Sequence, residues 1–401
     1  MFSIVIPAYN EEKAVRSILE RSLKAAQGPL KDPSLDLGEV EVILVNDGSR
    51  DKTASLAREV PGVRVIDHPV NRGYGAAIKT GFEAARGDWL GFIDADGTCD
   101  PDFFAPLIRL ARKDGFDVVC GSRMHAGSRM PRVRILGNWL FRTLVNALAG
   151  SSVADVASGM RVIRRDSLVR LYPLPDGLNF TPAMSVRAVL DQRLKIGELP
   201  MPYEERIGRS KLSVVKDGLR FLGVILDTAI TYRPLLFFGA GAALCAAAAV
   251  WALGSRWTAE AAPLPYYLRQ GRLEDWMIFR VALAALLLST AAFLTALGTV
   301  GQSLVAIINR EARPRPAEAL VEAWVGRRFL WWGAAALALA VFLNRRLLFA
   351  YATTGHIPGE FWPFAIVGGL CALVGAEFAA FGLMGRIVRL LAERERYRCQ
   401  T

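Results

Sequence analysis

The arrangement of apolar residues changes partway along the chain. Up to about Tyr232, short apolar runs alternate with polar stretches, as in a globular domain, whereas long apolar blocks follow Arg233 and Pro234. A helix needs about 20 apolar residues to cross a bilayer. Four blocks predict such spans, at about residues 235–253, 278–308, 329–351 and 361–385. The third block is short before Arg345 and Arg346, so this prediction requires those two side chains to snorkel or to be buried.

The first 120 residues contain five apolar runs of strand length that alternate with helical patterns. We predict strands at 3–6, 40–45, 63–66, 89–93 and 117–120, with helices at 11–26, 52–59, 75–85 and 101–113. Such alternation is typical of a mostly parallel sheet with helices on both faces. The first run is interpreted as a strand and not as a signal peptide, because it is only five residues long and acidic Glu11 and Glu12 follow it.

Two later stretches are amphipathic. Leucines recur at every fourth position from Leu136 to Leu148, and apolar residues from Leu212 to Leu226 lie opposite basic ones. Both stretches predict helices in the membrane interface, although a face packed on the core is the alternative. The predicted organisation is therefore a globular domain over 1–209 that includes an interfacial helix at 132–149. An interfacial helix over 210–233, a membrane domain over 234–391 and a tail over 392–401 follow.

The charge distribution predicts the orientation in the membrane. The chain of 401 residues has 49 Lys and Arg against 38 Asp and Glu, a net charge of +11. The loop after the second span and the tail hold ten arginines, whereas the two opposite loops hold five. Because cytoplasmic loops are enriched in Lys and Arg, the N-terminal domain and the tail are expected in the cytoplasm. The sequence contains no motif typical of nucleic-acid binding.

The cysteines and histidines predict neither a disulfide framework nor a zinc site. The five cysteines are scattered without C-x-x-C spacing, and the three histidines form no cluster in the sequence. A reducing cytosol is consistent with this pattern.

The strand predicted at 89–93 ends on Asp94-Ala95-Asp96. Residues two apart in a strand point to the same side, so both carboxylates would stand at a strand end, where open α/β sheets bind their ligands. Two hard oxygen ligands there suit Mg²⁺ or Mn²⁺ carrying a diphosphate. A solvated turn is the alternative, since Asp and Gly are common in turns.

Two other nucleotide-binding motifs are excluded. Gly73-Tyr74-Gly75 has Ile78 where a dinucleotide fingerprint needs its third glycine, and the first strand carries no such loop. The chain also lacks the G-x-x-x-x-G-K-[ST] sequence of a P-loop ATPase.

Five motifs occur in a characteristic order: IVIPAYNEE, VILVNDGSRDKT, NRGYGAAIKTGFEAARGD, FIDADGTCDPD and VVCGSR. As a set they resemble the family 2 glycosyltransferases of the GT-A fold, and more narrowly dolichol-phosphate mannose synthase and related polyprenyl-phosphate glycosyltransferases. The resemblance covers about residues 2–226. It implies a Rossmann-like, mostly parallel catalytic domain, to which the sequence adds interfacial helices and about four transmembrane helices.

The resemblance also implies roles for individual residues. Asp94 and Asp96 would hold the metal and the diphosphate. The nucleotide sugar would contact Pro7, Ala8, Tyr9, Glu11, Asp47, Arg72, Gly73, Asp94, Ala95 and Asp96. Two positions depart from the family pattern. Thr98 stands where a mannose synthase often has Gln, and Asn46 stands where an acidic residue is common. These departures leave the sugar and the nucleotide open.

Residues 123–170 contain nine arginines and only two acidic residues. Arginine binds phosphate through paired hydrogen bonds, although attraction to anionic lipid headgroups is the alternative for part of the cluster. The resemblance implies that the lipid phosphate is held by Arg123, Arg134, Asn138, Arg206, Arg209 and Lys211. It further implies a structural turn beneath the site, from Asp155 to Arg161.

The expected reaction is inverting transfer of a hexose from GDP-mannose, UDP-glucose or UDP-GlcNAc to dolichyl or undecaprenyl phosphate at the cytoplasmic membrane. The expected catalytic residues are Asp94, Asp96, Arg123 and Arg134. A processive polysaccharide synthase is a second hypothesis, although the chain lacks the Q-x-x-R-W motif of those enzymes. An inactive scaffold or flipping partner is a third. The spans could serve as an anchor, as a homo-oligomer contact or as a path for the product lipid.

Overall fold

The computed structural model describes residues 1–125, 128, 130–204, 206, 213–255, 262–270, 274–308, 328–356 and 362–398. The chain divides into two compact units, Met1–Ala229 and Ile230–Thr401. Each unit is described by itself. The boundaries predicted at 209, 233 and 391 stay predictions.

A seven-stranded sheet forms the centre of the first unit. Its strands are β1 Phe2–Ala8, β2 Val40–Asn46, β3 Val63–Asp67, β4 Trp89–Ile93, β5 Val118–Ser122, β6 Met160–Arg164 and β7 Ile196–Pro200. They lie in the order β3-β2-β1-β4-β6-β5-β7. Every pairing is parallel except the two made by β6, which runs antiparallel to β4 and β5. The predicted α/β class with a mostly parallel sheet is confirmed.

Helices pack on both faces of the sheet. The helices of this unit are α1 Val15–Gln27, α2 Thr53–Arg58, α3 Tyr74–Ala84, α4 Phe104–Asp114, α5 Arg132–Ala149, α6 Arg165–Leu171, α7 Phe180–Leu190 and α8 Val214–Tyr232. Of these, α1 and α4 lie on one face and α3 and α7 on the other. Side chains of β1 alternate between two buried cores, because residues two apart in a strand share a face. Phe2 and Ile4 pack in the core that includes α1 and α4, whereas Val5 packs in the core that includes α3 and α7.

The sequence analysis did not predict β6 and β7. The register pairs Ile93 of β4 with Met160 of β6, so the start of β6 lies beside the end of β4. Because β6 is antiparallel, the turn that precedes it reaches the same sheet edge as the carboxyl ends of the parallel strands. The residues after β4 and those before β6 therefore meet there.

The second unit is helical. Its helices are α9 Pro234–Gly254, α10 Pro263–Gln270, α11 Ile278–Ile308, α12 Phe329–Thr354 and α13 Trp362–Arg398. Four of them are long and apolar enough to cross a membrane, which confirms the four predicted spans. The third of these four helices, α12, continues past Arg345. The Arg345 guanidinium lies 3.9 Å from the centre of the Phe342 ring, and its Nη1 donates to the Phe342 carbonyl at 2.7 Å. These contacts place the charge against the surface of its own helix.

Candidate active site

A cavity of about 510 Å³ opens at the carboxyl ends of the central strands. Most of the residues predicted for the site line it, namely Pro7, Ala8, Tyr9, Glu11, Asp47, Gly73, Asp94, Ala95, Asp96, Arg123, Arg134, Asn138 and Arg206. Arg72 does not line this cavity, and its side chain is exposed. Arg209 and Lys211 lie outside the described residues. The fold therefore brings together motifs that are as far apart in sequence as Pro7 and Arg206.

Asp47, directly after β2, organises the loop that leads into α3. Its buried carboxylate accepts hydrogen bonds from the backbone amides of Arg72 and Gly73, each at 2.8 Å. His68 Nδ1 lies 2.8 Å from the same carboxylate. Gly73 has φ of 108°, and a Cβ there would overlap the Asp176 carbonyl, so the position requires glycine. Arg72 thus takes part in this network through its backbone.

The two departures from the family pattern are both hydrogen-bonded within the fold. Asn46 Nδ2 donates to Asp67 at 2.8 Å, and Asn46 Oδ1 accepts from the Ser49 amide at 3.1 Å. Thr98 donates to Asp96 Oδ1 through its hydroxyl at 2.7 Å and through its amide at 3.2 Å. Thr98 therefore orients the Asp96 carboxylate.

The carboxylate pair lies in surroundings that suit a divalent cation. Burial, and then the charge of Asp96, raise the pKa of Asp94 to about 7. The two carboxylates therefore repel each other, and a cation between them would offset that repulsion. Among the described residues, no group of three or more His, Cys, Asp or Glu could hold a metal ion. A cation here would therefore need further oxygen ligands from a diphosphate or water, which is usual for Mg²⁺.

Arg123 follows β5 and is held by a buried carboxylate. Its Nε and Nη2 donate to Asp155 at 2.7 and 2.9 Å, and its guanidinium lies 5.6 Å from the centre of the Tyr203 ring. Burial by itself would raise the pKa of Asp155, but the charge and hydrogen bonds of Arg123 outweigh it and lower that pKa. Asp155 thus engages Nε and Nη2, two of the three guanidinium nitrogens.

Asn138 and Glu198 also belong to this network. Asn138 Nδ2 donates to Asp155 Oδ1 at 2.9 Å, which ties α5 to the sheet edge. Glu198, on β7, accepts from the amides of Ala154 and Asp155 at 2.6 and 2.9 Å. Asn138 therefore helps to hold Asp155, a contact that differs from the direct phosphate contact implied by the resemblance.

Arg206 bridges two acidic residues of the cavity. Its Nη2 donates to Glu11 at 2.5 Å, and its Nη1 lies 3.3 Å from Asp96 Oδ2. The guanidinium is therefore within reach of any anionic group bound next to Asp96.

The wall of the cavity formed by α5 and α8 has an apolar part beside its polar residues. Val133, Gly137 and Phe141 of α5 line it together with Gly218 and Phe221 of α8. The rings of Phe141 and Phe221 pack edge to face, with their centres 5.8 Å apart. This wall suits a hydrocarbon chain.

Both helices also expose large apolar side chains. Large exposed side chains there are Leu136, Trp139 and Leu140 on α5, with Val215 and Leu219 on α8. Both predicted amphipathic helices are present, and their exposed apolar side chains are consistent with the membrane interface.

Two residues that contact Asp94 were not predicted from the sequence. The Tyr74 hydroxyl donates to Asp94 Oδ1 at 2.7 Å, and Gly159 packs against the same carboxylate. Tyr74 lies in the G-Y-G motif, and Gly159 lies in the turn predicted beneath the site. Both motifs were noticed, but neither indicated contact with Asp94.

A family model and several known proteins are similar to this chain. The model of the family described as "Glycosyl transferase family 2" matches residues 3–171. The dolichyl-phosphate hexose transferase of Haloferax volcanii is 32% identical over 54% of this chain and 88% of its own length. The low-salt glycan biosynthesis hexosyltransferase Agl6 of the same organism is 35% identical over 57% of this chain, which spans 54% of that relative.

A bacterial relative and a solved structure are also similar. The undecaprenyl-phosphate 4-deoxy-4-formamido-L-arabinose transferase of Edwardsiella ictaluri is 30% identical over 64% of this chain and 79% of its own length. Glucosyl-3-phosphoglycerate synthase of Mycobacterium tuberculosis, solved with Mn²⁺, UDP and phosphoglyceric acid, has a TM-score of 0.46. It is 25% identical, with 57% of this chain and 78% of that chain covered.

The family match and the curated relatives define a glycosyltransferase, and the fold is consistent with it. The chain belongs to the family 2 glycosyltransferases, and its curated relatives include members named for dolichyl and undecaprenyl phosphate. The resemblance stated from the sequence motifs is confirmed.

Proposed function

We propose that this protein transfers a hexosyl group from a nucleotide sugar to a polyprenyl phosphate, with inversion and with Mg²⁺ or Mn²⁺ bound. The observation that carries the proposal is that one cavity joins an aspartate pair, several arginines and an apolar wall. The aspartates suit a metal-bound diphosphate, the arginines suit a second phosphate, and the wall suits a lipid chain. The relatives named for polyprenyl-phosphate transfer support the same reaction.

The donor would bind at the ends of β1, β2 and β4. Pro7, Ala8 and Tyr9 would contact the nucleoside, while Asp96 and Asp94 would hold the cation. A bound divalent ion supplies several kcal/mol of charge stabilisation to a departing diphosphate. Thr98 keeps the Asp96 carboxylate oriented for this role through its two hydrogen bonds.

The acceptor would place its phosphate among Arg123 Nη1, Arg134 and Arg206. A phosphate monoester has a second pKa near 6 and is largely a dianion at pH 7, so it attacks without a general base. Its oxygen would form a bond to the anomeric carbon while the bond from that carbon to the diphosphate breaks, which inverts the centre. The arginines offset the repulsion between the two phosphate groups.

The arginine distribution supports a catalytic domain in the cytoplasm. The loop after the second span and the tail are richer in arginine than the opposite loops, and this bias sets the orientation of a membrane protein. Transfer would then take place at the cytoplasmic face, with membrane lipid around α5 and α8.

A donor and acceptor screen tests the proposal. The full chain in detergent receives GDP-mannose, UDP-glucose or UDP-GlcNAc with Mn²⁺, and either dolichyl or undecaprenyl phosphate. We expect one labelled sugar to enter a butanol-extractable monoglycosylated lipid, and excess EDTA to abolish that transfer. A polymeric product would favour the polysaccharide synthase. Nucleotide binding without transfer from any donor would favour the inactive scaffold.

A further inference from the structure

The Tyr74 hydroxyl makes a direct contact with the first aspartate of the D-x-D motif. It donates to Asp94 Oδ1 at 2.7 Å from the first residue of α3. The tyrosine ring is itself fixed, because it packs edge to face on Phe180 with ring centres 6.5 Å apart. Residues 74 and 94 belong to different motifs, so this hydrogen bond joins the start of α3 to the residues that follow β4.

The second oxygen of Asp94 is enclosed from the opposite side. A Cβ on Gly159 would overlap Asp94 Oδ2, so only glycine lets the turn before β6 approach the carboxylate. Buried Arg161 supports that turn, since its Nε donates to the Ser158 carbonyl at 3.1 Å and its Nη2 to the Val156 carbonyl at 2.9 Å. Asp94 is therefore held between Tyr74 and a rigid turn.

Packing alone does not explain a tyrosine at position 74. Phenylalanine would make the same ring contact with Phe180, whereas a buried hydroxyl costs free energy unless it forms a hydrogen bond. The Tyr74 hydroxyl forms such a bond, to Asp94 Oδ1 at 2.7 Å. The feature that distinguishes tyrosine here is its hydrogen bond to Asp94.

We propose that Tyr74 is a positioning residue, whose hydroxyl fixes the Asp94 carboxylate in the orientation that receives the metal-bound diphosphate of the donor. This inference rests on the proposed function. It assigns to α3 a role in donor binding, because the hydrogen bond removes the freedom of the carboxylate to rotate away from the site.

Binding of GDP and UDP, with MnCl₂ and measured by calorimetry, tests this role in the full chain. Tyr74→Phe should weaken nucleotide binding in the presence of Mn²⁺ by about tenfold, which corresponds to about 1.4 kcal/mol. The melting temperature and the KM for the acceptor should stay close to those of the wild type. Tyr172→Phe is the matched control, since it removes a tyrosine hydroxyl outside the cavity.

A double-mutant cycle with Asp94→Asn shows whether Tyr74 acts through Asp94. If it does, adding Tyr74→Phe to Asp94→Asn should weaken binding much less than Tyr74→Phe does in the wild type. Wild-type affinity in Tyr74→Phe, or additive losses in the double variant, would overturn the inference alone. Absence of Mn²⁺-dependent nucleotide binding in the wild type would instead overturn the proposed function.

Discussion

Arg123 and Asp155 form a two-point ion pair at the floor of the cavity, and Asp155 is completely buried. Their residue numbers differ by 32, and the pair joins the end of β5 to the turn before β6. Asn138 and the Arg123 amide donate to the same carboxylate, at 2.9 and 3.0 Å. One buried acid thus connects the sheet, α5 and a cavity arginine.

We expect Asp155→Ala to destabilise the catalytic domain strongly. Removing one partner of a buried pair leaves an uncompensated charge and costs about 3–5 kcal/mol. Urea unfolding followed by fluorescence would measure the loss. The matched control is Glu59→Ala, because Glu59 forms an exposed pair with Arg16, and surface pairs contribute about 0–1 kcal/mol. Equal losses of stability in the two variants would contradict the importance of the buried pair.

The same pair predicts how stability depends on pH. The pKa of Asp155 is lowered from its ordinary value of 3.8, so its contribution is present above that value and is lost as the pH falls through the lower folded pKa. The wild type should therefore have a higher free energy of unfolding than Asp155→Asn, by an amount that is constant near neutral pH and shrinks below about pH 4. Unfolding curves at a series of pH values would check this, and a difference that grows in acid would refute it.

Gly159→Ala should inactivate the enzyme through Asp94. The added Cβ would displace the Asp94 carboxylate or the turn, and a misplacement of about 1 Å costs about 10²-fold in rate. Transfer of labelled sugar to lipid is the measurement. Gly223→Ala is the control, since a Cβ there meets nothing within 4 Å. This substitution should stabilise α8 by about 0.5–1 kcal/mol. Normal transfer by Gly159→Ala would show that Asp94 tolerates movement.

Asp96→Ala should abolish transfer into butanol-extractable lipid. Loss of a metal ligand forfeits several kcal/mol of charge stabilisation, which corresponds to at least about 10²-fold in rate. Asp102→Ala, which removes an exposed acid six residues further along the chain, should leave transfer unchanged. Near-normal activity in Asp96→Ala, or full activity in excess EDTA, would refute the metal assignment.

Arg134→Ala should impair use of the acceptor more than binding of the donor. Arg134 lines the cavity on α5, next to its apolar wall, where the lipid phosphate would lie. We expect the acceptor KM to rise about tenfold, equivalent to about 1.4 kcal/mol, with donor affinity nearly unchanged. Arg142→Ala on the same helix, outside the cavity lining, is the control. Unchanged acceptor kinetics would remove Arg134 from the site.

Local patterns were sufficient to predict much of the architecture. Five of the six parallel strands and the four apolar helices were predicted at or near their observed positions, because strand alternation and hydropathy are properties of neighbouring residues. The position of Asp94 and Asp96 at a strand end followed from the same local reading, since β4 stops at Ile93.

The antiparallel strand β6 could not be predicted in this way. Its sequence contains Arg161, which is completely buried, and a charged residue inside a short run argues against a buried strand. The charge is tolerated because two backbone carbonyls of the preceding turn accept hydrogen bonds from it. Those hydrogen bonds depend on the conformation of the turn, which the pattern of apolar residues does not predict.

The sequence alone thus determined the class of enzyme, the four long apolar helices and many polar residues of the cavity, because motifs and hydropathy are properties of neighbouring positions in the chain. Only the tertiary structure decided what each polar group faces. It placed Tyr74 on Asp94, Asn138 on Asp155 and Arg206 between Glu11 and Asp96. Hydrogen bonds and ion pairs form between atoms within about 3–4 Å of one another, and that proximity arises from strand order and register rather than from distance along the chain.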